Sequence, residues 1–554
     1  MSEKNNVSKN NFIMQAGILA AAGIISRIIG LLYRSPLNSV IGELGMGYYQ
    51  AAYSFYNIVL LISSYSIPSA LSKVIAQKLA LKEYRNAHRI FICALGYVLV
   101  VGAMAGLFLY FGAGLMVEQA AIPVLRTFAP TVFVYGMLGV LRGYFQAHKS
   151  MSQTSVSQIL EQIANAAVSI GAAFLLIRGF MGSMEIPTDI PGQVERATYG
   201  AIGSAMGTGA GVLVGLLFML GMYGLNRRLI RRRIRFDRHE QTDSYLSIIK
   251  MITCVVTPFI LSTAIYNLSG TVNNAVYTKI LPTLKQLDSV ERYTNWGIFS
   301  GQSLTVSNIP IAFATAMAAA MLPSIAQLAA EKKKEEAKAK IGIAVKSTML
   351  ISIPSAVGLF VLAKPVIYLL FPRPDEVVSL AAKLLMTLSL SVIFYALSTL
   401  NSSILQGLGK VNAPIINAGI ALVIQTVVGV LLLLYTNLNL YSMALVNTLY
   451  SAVMCLLNQL SVRRAIGYKQ EMTKTFFIPF VASVFMGAVA WVVYEGLLLL
   501  TDSMRIALIP AVIVGAVVYF VMLILLRGVT EAELRGLPKG YLLVKLAKKC
   551  RLLR

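Results

Sequence analysis

Residues 12–36 read FIMQAGILAAAGIISRIIGLLYRSP, an apolar stretch long enough to cross a bilayer as a helix, yet Arg27 sits inside it. An arginine near mid-membrane costs about 2.5–3.5 kcal/mol on insertion scales, so such residues face a protein interior or a water-filled cavity. Arg34 follows nearly two helical turns later, on almost the same face. Snorkelling to the nearer interface would account for Arg34, which is expected at the helix end. It does not account for Arg27, well inside both boundaries. Two cations along one face of a first membrane helix are what an anion pathway needs.

The rest of the chain obeys the same solvent. Of 554 residues, 57% are hydrophobic and 13% charged, against about 25% charged in soluble proteins. The expected fold is an all-α polytopic membrane protein. The start does not read as a cleaved signal peptide, because its apolar run is too long and no small-residue cleavage site follows. Length and apolarity place fourteen spans near 12–33, 46–70, 90–114, 122–146, 153–177, 198–224, 247–269, 297–322, 341–371, 377–404, 412–435, 440–462, 475–500 and 504–526. The net charge of +25 comes from loops between spans, with no separate basic domain, which excludes nucleic acid as a partner.

Alternate loops and the two tails hold roughly three-quarters of the 48 basic residues, among them LNRRLIRRRIRFDR and EKKKEEAKAK. By the positive-inside rule both termini lie in the cytoplasm, consistent with an even number of spans. The organisation expected is a tail at 1–11, a six-helix lobe at 12–224, a basic cytoplasmic linker at 225–246, a second six-helix lobe at 247–462, two additional spans at 463–526 and a basic tail at 527–554. A weak internal repeat supports the lobes. Pro68-Ser69 and Pro323-Ser324 each lead into a basic amphipathic run, and Gln146 and Gln406 each precede a small basic turn. The offsets, about 255 and 260 residues, agree. Six spans per repeat relate the lobes by an axis along the membrane normal, an arrangement common in transporters. No filter-like segment of a channel is visible.

Polar residues within spans supply the candidate site. The first half carries Arg27, Arg34, Lys73, Arg126, Arg142 and Glu161, with Glu161 placed to pair with Arg142. Asn267, Ser269-Gly270-Thr271 and Asn273-Asn274 form a polar interruption where the seventh span is expected to unwind or end; Gln302 and Asn308 follow in the eighth. Uncharged amides in membrane helices mostly bridge neighbouring helices, at about 0.6 kcal/mol each. Arginine differs, since Arg27 has no evident acidic partner and leaves room for an anionic ligand. Cys93, Cys254, Cys455 and Cys550 show no paired spacing, and His88, His148 and His239 lie in basic loops, so neither a disulfide framework nor a metal site is indicated. External carboxylates are scattered and no phosphate-cradling glycine loop occurs, so an enzyme, a bound cofactor and ATP as direct fuel are not expected.

The segment AAAGIISRIIGLLYRSPL, with Ser26-Arg27, Gly30 and Arg34, resembles the first helix of MurJ-type and SpoVB-type flippases. These belong to the polysaccharide-transporter branch of the multidrug/oligosaccharidyl-lipid/polysaccharide exporter superfamily. SIPSALSKVIAQ and LRGYFQAHKSMSQTSVSQILEQIAN are similar to the same branch. The resemblance implies a MATE-like fold of two pseudo-twofold-related six-helix lobes around a cationic cavity, plus two C-terminal helices, in a monomer of the bacterial cytoplasmic membrane. It implies transfer of an undecaprenyl-pyrophosphate-linked glycan, foremost the peptidoglycan precursor lipid II, from inner to outer leaflet. Membrane lipids are the other partner. Arg27 and Arg34 match the pyrophosphate-holding positions, Lys73 matches a basic residue after the second-helix proline, and Ser26 and Arg142 complete the substrate-binding set. Gln302 stands where relatives often have arginine; Asn308, Asn273, Asn274 and Glu161 are further cavity candidates. Alternative cargoes are capsule, teichoic-acid, exopolysaccharide or spore-cortex units. A cation-coupled multidrug antiporter would need a cavity carboxylate where this chain has arginine.

Overall fold

Inside hydrocarbon a backbone can satisfy its own polar groups only by closing on itself, and this chain does so as helix. The computed structural model describes residues 22–23, 25–26, 28–65, 67–148, 150–237, 243–280 and 288–529. Among these there is no strand, and ten helices are long and apolar enough to cross a membrane. Two compact units divide at Gly297 and Ile298.

The first unit contains α1 (Arg34–Leu60), α2 (Ile67–Ala80), α3 (Tyr84–Met116), α4 (Ile122–Ala147), α5 (Met151–Met181), α6 (Ile190–Arg235), α7 (Tyr245–Ala275) and α8 (Ser289–Gly297). Residues 28–32 are helical and run into α1, which breaks at Gly42 (φ 75°, ψ 175°). That conformation is essentially open only to glycine. Arg34, expected at a helix end, opens α1, and the break at Gly42 comes two turns beyond it.

α5 and α6 pack most intimately. Glycines at 203, 207, 211 and 215 recur every fourth residue of α6 and remove the side chains that would hold two backbones apart. A Cβ on Gly203 would overlap Ala173, one on Gly207 would overlap Ser169, and one on Gly211 would sit 2.5 Å from the Glu161 carbonyl oxygen. α8 meets α1 in the same way, Gly47 against the Tyr293 carbonyl and Gly297 against that of Glu43.

Two expectations change here. The polar stretch of the seventh span does not unwind: α7 stays α-helical through Ala275 and then makes a wider turn at Val276–Ile280. Its polar side chains have partners on α1, with Thr271 Oγ1 donating to the Ser54 carbonyl (3.0 Å) and Asn274 Nδ2 to Ser54 Oγ (2.7 Å). These bonds also place α7 with the first unit. Secondly, residues 225–235, expected in a linker, continue α6 as helix to Arg235. Arginine is a good helix former, so a basic run need not end one.

The second unit contains α9 (Leu304–Ala330), α10 (Lys334–Val361), α11 (Ala363–Leu370), α12 (Asp375–Gly407), α13 (Asn412–Tyr435), α14 (Leu440–Ile466), α15 (Ile478–Thr501) and α16 (Met504–Leu525). α12 lies against α9, α10 and α14, and α15 pairs with α16. A Cβ on Gly487 of α15 would lie 3.0 Å from Val357 of α10. The expected ninth span at 341–371 is broken at Leu362 into α10 and α11.

The internal repeat shows in the turns. α2 joins α3, and α9 joins α10, through a lysine with positive φ: Lys82 at 61° and Lys332 at 57°. The hydrogen bonds match one for one, Lys82 N to Leu79 O and Glu83 N to Lys78 O against Lys332 N to Ala329 O and Lys333 N to Leu328 O. After Gln146 and Gln406 the chain closes alike, Ser150 N to Phe145 O and Lys410 N to Leu405 O.

The α5–α6 seam makes one expectation quantitative. Gly207→Val forces backbones apart and lowers stability by about 1–3 kcal/mol or more. Gly221→Ala, which meets open space, leaves stability unchanged or slightly raised. Thermal unfolding of the purified variants checks both.

Candidate functional site

The arginine-bearing helix is held by three contacts in the first unit. Gly30 lies beside Gln162 of α5, with an ideal Cβ 3.5 Å from Oε1. Asn165 Nδ2 of α5 donates to Tyr33 Oη at 3.4 Å. At the Gly42 break, Arg196 of α6 donates from Nη2 to the Val40 carbonyl (3.0 Å) and to that of Met184 (3.3 Å), taking up an acceptor that the interrupted helix leaves over. Arg34 is half-buried, and on the same element Tyr49 hydrogen-bonds through its hydroxyl to Thr208 Oγ1 at 3.3 Å. Ser26 is half-buried; its hydroxyl is enclosed and meets no hydrogen-bond partner among the described residues. Arg27 lies outside the described residues.

α5 carries a polar stripe, of which Gln162 and Asn165 meet this helix, Ser157 and Glu161 meet α4, and Ser169 meets α6. Ser157, Gln158, Glu161, Gln162, Asn165 and Ser169 recur at three- and four-residue spacing along one side. At its lower end Arg142 of α4 donates from Nε to Ser157 Oγ (2.9 Å) and from Nη2 to Glu161 Oε2 (2.7 Å). The two charged side chains are 7% and 14% exposed, which makes this a desolvated ion pair. The sequence offered Arg142 two roles, phosphate ligand and partner of Glu161, and the structure displays the second. A guanidinium so engaged has little left for an incoming phosphate unless Glu161 lets go. Glu161 is likewise committed to Arg142 rather than open to a ligand.

The remaining candidates disperse. Lys73 is exposed on α2. Asn273 and Asn274 are buried on α7, and Asn274 bridges to α1. In the second unit Gln302 is fully buried, next to Ser303, whose hydroxyl donates to the Ala381 carbonyl at 2.8 Å; Asn308 is exposed on α9. Within the first unit the structure therefore pairs Arg142 with Glu161 and places Arg34 at the start of α1. Reasoning from sequence missed Arg196 and the amides of α5. The four-residue periodicity of polar side chains in MSQTSVSQILEQIANAAVS was the available signal for the amides. Arg196 had none, because its acceptors lie on distant or irregular backbone.

Comparison with known proteins gives a consistent picture. The family described as lipid II flippase MurJ matches residues 84–509. The lipid II flippase MurJ of Bacillus subtilis (strain 168) is 25% identical over 530 residues, covering 91% of this chain and 93% of that protein. Stage V sporulation protein B of the same organism is 22% identical over 539 residues, covering 96% and 98%. Among solved structures, a lipid II flippase MurJ in an inward closed conformation superposes with a TM-score of 0.65 at 16% identity, covering 91% of this chain and 97% of that one. An inward-facing multidrug resistance MATE family transporter gives 0.55 at 16% identity, covering 81% and 94%.

The ion pair yields a two-part expectation. Glu161→Ala strands Arg142 in a low-dielectric interior and destabilises by about 3–5 kcal/mol, whereas Arg142→Leu combined with Glu161→Leu loses much less. Thermal unfolding of the purified single and double variants measures the difference; a double loss equal to the sum of the two single losses would mean the pair is not coupled.

Proposed function

Because the chain belongs to the lipid II flippase MurJ family, we propose that it carries an undecaprenyl-pyrophosphate-linked saccharide, lipid II foremost, from the inner to the outer leaflet of the bacterial cytoplasmic membrane. It works as a multi-pass transporter, by alternating access and as a monomer. Fourteen spans in two six-helix lobes plus a C-terminal pair, with both termini cytoplasmic, complete the architecture we propose. The observation that carries the reading is the contact of the helix leading into Arg34 with polar side chains of α5, Gly30 beside Gln162 and Tyr33 bonded to Asn165.

The chemistry follows from what hydrocarbon rejects. A pyrophosphate cannot cross without a polar, cationic route, while its polyprenyl tail can stay in lipid. Guanidinium suits the headgroup because it binds phosphate oxygens bidentately and remains charged. In this proposal Arg27 and Arg34 grip the pyrophosphate in a cationic cavity, assisted by Ser26 and Lys73. Arg142 and Glu161 hold α4 to α5 and so fix the wall beside them. The α5 amides offer neutral hydrogen bonds to the cargo. Similarity to a sporulation protein across nearly the whole chain favours, as the second reading, a different undecaprenyl-linked glycan such as a spore-cortex unit.

Two measurements test this. In cells depleted of their lipid II flippase the wild-type chain restores growth, and Arg27→Ala and Arg34→Ala do not. Each lost charge-assisted contact, at about 1.5–3 kcal/mol, lowers flipping roughly ten- to a hundredfold. Failure of the wild type with intact expression refutes lipid II as cargo, and full rescue by both variants refutes the site. In vesicles, a potential negative inside favours export of the bound anion by about 2.3 kcal/mol per charge per 100 mV. Dissipating it slows flipping; an unchanged rate would exclude the potential as the driving force.

A further inference from the structure

The last three turns of α6 carry a surface that transport does not explain. α6 has 46 residues, about 69 Å of helix, against about 40–45 Å for a bilayer with its headgroups. Even tilted by about 40° it rises about 53 Å and must emerge. Leu213, Leu217 and Leu220 mark its outward face within the membrane, 42–58% exposed. At three- and four-residue steps that same face continues as Arg228, Arg231 and Arg235, all exposed. Beside them Leu225 and Leu229 stay 79% and 59% exposed. Arg227, Arg232 and Arg233 are also exposed, and none of the six meets a carboxylate at ion-pair distance among the described residues.

The opposite face is pinned. Ile230 packs against the core around α3 and α4. Arg85 donates through Nε to the Ile234 carbonyl (3.4 Å) and through its backbone N–H to Asp237 Oδ2 (2.7 Å). Beyond it, Lys78 bridges Glu83 (2.8 Å) and Asp243 (2.7 Å). Burial works against the ammonium charge of Lys78, but its hydrogen bonds to Asp243 and Glu83 outweigh it and hold the group above the ordinary lysine range. The arginine stripe is thus a fixed feature of the first unit.

We propose that the Arg228–Arg231–Arg235 stripe of α6, with Leu225 and Leu229 beside it, is a docking surface for the headgroups of anionic phospholipids in the leaflet at the C-terminal end of α6. Leucines exposed among arginines suit a layer where acyl chains meet phosphate: the apolar side chains enter the chain region and the guanidinium groups reach the phosphates. The surface continues the lipid-facing side of the same helix, which argues for lipid over a soluble acidic protein. This inference does not depend on the cargo.

A photo-crosslinking benzoylphenylalanine at position 229 of the full chain tests it, in vesicles of phosphatidylcholine with phosphatidylglycerol and in native membranes. Adducts identified by mass are expected to be phospholipid, with phosphatidylglycerol enriched over its bulk fraction at least about fivefold, the factor a single arginine near a charged surface supplies. Arg228→Gln, Arg231→Gln and Arg235→Gln together return the adducts to bulk composition. The crosslinker at position 217, in the membrane part of α6, reports bulk composition throughout. Adducts to a protein in native membranes, absence of lipid adducts, or equal enrichment with and without the three arginines would each overturn the proposal. Should the triple variant not fold, wild type compared between zwitterionic and mixed vesicles decides the same point.

Discussion

A guanidinium cannot be left alone in a medium that does not solvate it, and the first unit is arranged around that constraint. Among the described residues three arginines there are almost fully buried: Arg142, Arg196 and Arg292. Arg142 takes a carboxylate and a serine hydroxyl, Arg292 takes the carboxylate of Glu118, and Arg196 takes backbone carbonyls beside a broken helix. Arg196 and Arg292 tie together elements more than 150 residues apart and Arg142 ties consecutive helices, so charge that is costly to bury becomes what sets the register of α1, α4, α5 and α6. Arg34, half-buried on the helix those contacts position, inherits its placement from them.

Packing and polarity are linked in the same region. A polar stripe on a membrane helix is tolerable only if a neighbour approaches closely enough to keep lipid out. The glycine ladder of α6 permits that approach: Gly207 lies against Ser169 and Gly211 against the backbone of Glu161 and Asn165. Without the glycines, the amides of α5 would stand further from α6 and nearer to hydrocarbon. The close seam is therefore a condition for having hydrogen-bonding groups beside the arginine helix.

Most spans were legible because the bilayer imposes a length and an apolarity that any window can measure; α3, α4, α12, α13 and α16 lie within a few residues of expectation. What was not legible depends on partners that a window cannot see. The polar run at 269–274 resembles an unwound helix until Ser54, more than two hundred residues away, supplies its partner. The basic run after 224 resembles a linker because charge signals the membrane boundary, while helix formation is indifferent to that boundary. Gly42 gave no warning, since one glycine among several is special only by its φ. At the site, sequence could name Arg142 and Glu161 as a pair but could not decide between that pair and a ligand.

The two units share turns but bury different chemistry. Lys82 and Lys332 close matching turns with the same hydrogen bonds, as an internal duplication would. Yet among the described residues every almost fully buried charged side chain, Arg142, Arg196, Asp237 and Arg292, is in the first unit. The second unit buries neutral groups instead. Asn458 donates to Ser398 and Ser402 and accepts from Asn417, and Asn401 donates to Gln459, which also accepts from Gln470. Amides and hydroxyls can satisfy one another at modest energy and carry no net field. Buried arginines impose a field that neighbouring carboxylates only partly cancel. Among the described residues, charge is thus buried in one unit, while the other is held by neutral hydrogen bonds.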